Sequence, residues 1–143
     1  MERDQIGRVA LALLCFAALS IGFTATVLPR TFYDDFPFLT QWVELLPPYN
    51  EHLVTDVGGL YLGFAILFGW AAWSFERALV RPLCIAWLVT AGVHLIFHLD
   101  HLEGFGAADA IAEITSLALL LVPAVVALRV CKPEGPSPRR ERP

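Results

Sequence analysis

Four long apolar runs decide what this chain can become: about Ile6 to Leu28, His52 to Trp73, Leu79 to Leu99 and Ala108 to Val130. Each is long enough to span a bilayer, because ~20 residues rising ~1.5 Å each cross a hydrocarbon core of ~30 Å. The runs lack the short, interrupted apolar stripes of a helix lying on a water-soluble core. With 57% hydrophobic and only 17% charged residues, and a mean hydropathy of +0.61, water is not the main solvent of this chain. The predicted fold class is all-α, an integral membrane four-helix bundle. Residues 1–131 form the transmembrane domain, and residues 132–143, rich in Pro, Arg and Glu, form a disordered tail.

A cleaved signal peptide competes for the first run, since Arg3 and Arg8 precede an apolar stretch ending among Ser20, Thr24 and Ala25. The run exceeds the usual apolar length of such a leader and carries no clean cleavage pattern, which favours a span. Between the first two runs, Thr31 to Asn50 reads as an interfacial loop. Phe32, Tyr33, Phe36, Phe38, Trp42 and Tyr49 suit the headgroup zone. A short helix over Trp42 to Leu46 is expected to lie in that plane and to stop at Pro47 and Pro48. The turns around Ser74 to Ala78 and Gly104-Phe105-Gly106 are short, so the spans they join are expected to be antiparallel neighbours.

Charge sets the orientation. Arg3, Arg8, Arg77, Arg81, Arg129, Lys132, Arg139, Arg140 and Arg142 all fall at one end of the spans. The other end carries Asp34, Asp35, Glu44, Glu51, Asp100, Glu103 and Asp109 against Arg30 alone. By the positive-inside rule both termini lie in the cytoplasm of a multi-pass plasma-membrane protein, with the lipid bilayer as its first partner. The same topology accounts for the basic residues, so nothing points to nucleic acid.

All four histidines, His52, His94, His98 and His101, fall at the outer ends of spans. His94, His98 and His101 share an arc of about 60° on one helix face. His52 with Asp56 and Asp109 with Glu113 repeat the one-turn spacing on the second and fourth spans. Ionisable groups are costly in hydrocarbon, so these seven residues are expected to face one outward-opening pocket, with Gly59 and Gly63 admitting a neighbouring helix below it. Tyr61, Thr55, Thr90 and Thr115 are candidate supporting hydrogen-bond groups.

Mixed His, Asp and Glu donors on facing helices suit a transition metal (Zn, Fe, Mn or Cu), and a small metal-dependent membrane enzyme acting on a lipid or quinone-like molecule would follow. Haem clamped between His52 and His98 is a weaker alternative, because the flanking acids crowd the macrocycle. A proton or metal carrier is harder to draw, since no ionisable residue lies deep in the cytoplasmic halves of the spans. Structural hydrogen bonding is the plain alternative: a non-catalytic accessory or scaffold subunit, assembled with other membrane subunits, whose buried polar groups only fix helix packing. Cys15, Cys84 and Cys131 are far apart and give no disulfide framework. No hydrolase, zincin, P-loop or dinucleotide fingerprint is present.

The stretch Pro47-Pro48-Tyr49-Asn50-Glu51-His52-Leu53-Val54-Thr55-Asp56-Val57-Gly58-Gly59-Leu60-Tyr61-Leu62, with the later His94-x3-His98-x2-His101, resembles small four-span membrane proteins of actinobacteria. The four-span layout over about residues 5 to 130 is also similar to DoxX-like membrane proteins. The second likeness rests on no shared catalytic motif and implies the fold only. DoxX-like proteins include accessory subunits of membrane oxidoreductases, which implies a partner-dependent role without assigning residues to it.

Overall fold

The computed structural model describes residues 2–37, 40–46 and 48–131. Phe38, Pro47 and the expected disordered tail lie outside them. Six helices follow in chain order: α1 Glu2–Val27, α2 Pro29–Asp35, α3 Glu51–Ser74, α4 Arg77–Leu99, α5 Ala107–Leu119 and α6 Leu121–Val130. Helices α1, α3 and α4 and the run through α5 and α6 are each long and apolar enough to cross a membrane. The chain is an all-helical, multi-pass membrane bundle.

Large apolar side chains point outward along every span, as with Phe16 at 71%, Ile66 at 72% and Trp73 at 73% exposure. A water-soluble bundle would bury that surface, and here lipid covers it. Inside, α1 packs on α3 and α6, and α4 packs on α6. The closest crossing is between α1 and α3. A Cβ on Gly22 would come within 2.8 Å of the Leu62 nitrogen, and one on Gly58 within 2.7 Å of the Thr26 nitrogen. Only hydrogen fits there, which is how membrane helices bring backbones together when the apolar solvent gives them little reason to associate.

Across from that crossing, Trp87 fills the wider space between α3 and α4. It is 1% exposed, and Tyr61, Phe64 and Phe68 of α3 set their rings edge-on to it at 5.3 to 5.8 Å between centroids. Its indole Nε1 donates to the Leu120 carbonyl at 3.0 Å, where the fourth span breaks into α5 and α6. Pro123 accounts for the break: it has no N–H for the Leu119 carbonyl one turn earlier, and its ring crowds that carbonyl. The single helix expected over Ala108 to Val130 is thus two, with a tightened turn from Leu120 N to Leu117 O of 3.2 Å between them.

Two loop expectations also change. Pro29 ends α1 but starts α2, at whose first position its missing N–H costs nothing. Trp42 to Leu46 makes turns and not a helix, with Leu46 N reaching Val43 O at 3.1 Å. The aromatic residues of this region contact one another, Phe32 stacked on Phe36 and Tyr33 tilted against Tyr49, with the Arg30 guanidinium over both tyrosine rings. Arg30 also pairs with Asp34 at 2.8 Å.

At the opposite end, basic side chains cap exposed helix carbonyls. Arg8 donates to Ala72 O at 2.7 Å and to Trp73 O, and Arg81 reaches Cys131 O at 3.4 Å. Cations at helix C-termini meet the negative end of the helix dipole, so these arginines hold the ends of α3 and α6.

Candidate functional site

Of the seven candidate residues, two meet in the interior. His98, one residue before the end of α4, and Glu113, on the second turn of α5, bring Nδ1 and Oε1 to 2.7 Å, with side chains 6% and 4% exposed. Helix period explains the meeting. His98 continues the stripe of Val80, Cys84, Trp87 and Ala91 that α4 turns to the core, and Glu113 heads the stripe of Leu117, Leu120 and Ala124 on α5 and α6. The Glu113 backbone carbonyl accepts from the Ser116 hydroxyl at 2.8 Å. The contact between the rings' edge nitrogen and the carboxylate is close but off the line of an aligned hydrogen bond. Both His98 Nδ1 and Glu113 Oε2 are buried without an aligned partner.

His94 lies one turn deeper on α4 and sets its ring edge-on to His98, 4.5 Å between centroids. It is about 40° around the helix from His98, on the same inward side, yet it is exposed. The reason is a divergence of α3 from α4 toward the end that holds His98. Leu53 and Val57 extend the stripe of Tyr61, Phe64 and Phe68 that packs on Trp87, but they are exposed. Among the described residues α5 meets α4 and α6 and touches neither α1 nor α3. The half of the bundle that holds His98 and Glu113 is therefore two helix pairs with a cleft between them, and His94 looks into it.

The remaining candidates stand apart, which corrects the expectation of one shared pocket. His52 and Asp56 pair with each other at 3.3 Å on the outward face of α3, with side chains 87% and 60% exposed. His52 therefore does not oppose His98, and a haem held between the two has no counterpart in this arrangement. His101 stacks on Phe97 and its Nδ1 is 2.7 Å from the Phe97 carbonyl. Asp109 accepts from the indole of Trp42 at 3.3 Å, so the loop before α3 is tied to the first turn of α5. Thr90 bonds back to Ala86 O on its own helix, and Tyr61 belongs to the Trp87 cluster. Gly59 and Gly63 have nothing within 4 Å of where a Cβ would stand, so among the described residues no helix approaches them there. Among the described residues, no three His, Cys, Asp or Glu side chains are placed to hold a metal ion as they stand.

Two contacts near the site escape sequence reasoning. The Trp42 link to Asp109 has no local signal, because the two are 67 residues apart. The Trp87 bond to Leu120 had one, since Pro123 announces a backbone break that needs a donor nearby.

Comparison with protein-family models, curated proteins and solved structures finds no match to this chain.

Proposed function

We propose that this chain is a non-catalytic accessory subunit of a plasma-membrane complex, with both termini in the cytoplasm, and that it works beside another membrane span. One observation carries the reading. The face of α3 turned away from its own bundle bears His52, Asp56, Gly59 and Gly63 in one line. Asp56 is five residues inside the helix with its side chain 60% exposed, and the two glycines are bare. A carboxylate left against lipid is costly, and glycines spaced by four in a span are where a neighbouring backbone comes close. A partner span on this face would shield the charge and fill the space above Gly59 and Gly63.

The basic end supports the orientation. Arg8, Arg77, Arg81 and Arg129 lie together at the end of the bundle opposite His98 and Glu113, and the positive-inside rule puts that end in the cytoplasm. On this account the buried His98 and Glu113 hold the outer ends of α4 and α5 together and keep the α3 face presented.

Cross-linking tests the reading. A Gly59→Cys variant treated in native membranes should give a heavier adduct, and a Leu13→Cys variant on the lipid face of α1 should give none beyond the parent chain. Equal labelling at both positions would remove the case for a partner on α3.

A further inference from the structure

We propose that His94, His98 and Glu113 form a binding site for one first-row divalent metal ion, with two imidazoles and one carboxylate as ligands and a further position open to the cleft. The proposal goes beyond the subunit reading and does not depend on it.

Its starting point is an imbalance. Glu113 is 3% exposed, and its Oε2 has no hydrogen-bond donor. His98 is 5% exposed, and its Nδ1 has a carboxylate beside it but no aligned bond. Buried polar atoms in folded chains are nearly always satisfied, and the unpaired Oε2 beside the His98 ring leaves a carboxylate acceptor that a bound cation would fill.

The third donor comes from helix geometry. His94 and His98 are one turn apart on α4, about 40° around the axis, and their rings are 4.5 Å apart. Two histidines at i and i+4 form a ready two-point chelate for zinc-type ions, and a Glu from a neighbouring helix completes a set of two nitrogens and one oxygen. That set also serves ferrous iron when coordination positions remain open. Here the open side is the cleft, because His94 is exposed on its inward face and the outer ends of α3 and α4 diverge.

The present spacing calls for a small side-chain movement. Two donors ~2.0 to 2.1 Å from one tetrahedral ion stand about 3.3 Å apart, whereas Nδ1 and Oε1 are 2.7 Å apart. A bound ion would need that gap to open, and the side-chain torsions of Glu113 are the softest coordinate for it. The remaining candidates are not needed: His52 and Asp56 satisfy each other on the far face of α3, and Asp109 is held by Trp42.

Cobalt(II) is the probe, because its visible absorption reports ligand geometry and it substitutes for zinc. The full-length chain is purified in detergent, stripped with chelator, dialysed and titrated with Co2+. One equivalent should bind with a visible spectrum, and added Zn2+ should displace it. His98→Asn, Glu113→Gln and His94→Ala should each lose the spectrum, while His52→Ala keeps it. Glu113→Gln preserves size and polarity and His98→Asn keeps a polar side chain, and retained helical signal and elution volume show that the bundle is folded. If the parent binds no cobalt, if binding survives His98→Asn or Glu113→Gln in folded protein, or if His52→Ala abolishes it, the site does not exist. The titration uses the isolated chain, so its failure leaves a partner on the α3 face untouched.

Discussion

Among the described residues, His98 of α4 and Glu113 of α5 are the buried imidazole and carboxylate, and the bundle brings Nδ1 to 2.7 Å from Oε1. The contact joins the C-terminal end of α4 to the N-terminal half of α5, whose helix neighbours among the described residues are α4 and α6 alone. Removing one partner leaves the other buried and unsatisfied, which costs about 1–3 kcal/mol. His98→Ala and Glu113→Ala should each lower the unfolding midpoint in detergent. The double variant should lose less than the sum, with a coupling of ~0.5–3 kcal/mol for residues in contact. Additive losses would mean that the two side chains do not meet.

The crossing of α1 and α3 gives a second test. Gly58→Ala drives a methyl to within 2.7 Å of the Thr26 backbone nitrogen, and backbone cannot step aside as a flexible side chain does. Overpacking of this kind costs about 1–3 kcal/mol. Gly59→Ala meets open space and should leave the isolated chain unchanged. Thermal unfolding of the two variants side by side measures the difference.

Trp87 offers a third. Trp87→Ala removes the ring on which Tyr61, Phe64 and Phe68 converge and should cost about 3–5 kcal/mol. Trp87→Phe keeps most of the packing but takes the donor from Leu120 O, at about 1 kcal/mol. Near-equal losses would show that packing contributes little there.

Orientation can be read with reporters. Fusions after Pro143 or at Glu76 should report the cytoplasm, and insertions near Glu44 or Gly104 the outside. An external signal at the C-terminus would invert the account.

The spans were legible because length and hydropathy alone specify them. What failed did so for local reasons. The first apolar run ends at Leu28, and nothing in hydropathy marks the helix that Pro29 starts there, although proline is at home in the first turn of a helix. Pro123 sits inside an apolar run, where hydropathy gives no sign of a break. The site turned on one residue. Gly58 and Gly59 are adjacent, and taking Gly59 with Gly63 as the close-approach pair rotates α3 by about 100°. Asp56 lies about 60° from Gly59 but about 160° from Gly58, so the true crossing at Gly58 turns Asp56 and His52 outward. The positions of His98 and Glu113 were legible, because each follows its own core stripe and needs no knowledge of α3.

Native mass spectrometry of the chain released from its own membranes in mild detergent tests the subunit claim most directly. The account predicts a species heavier than the 15.8 kDa chain, containing at least one further polypeptide and weakened by Gly63→Leu, which would block the α3 face while leaving the bundle folded. Recovery of the parent chain only as a 15.8 kDa monomer, under conditions that preserve a known membrane complex from the same preparation, would contradict it.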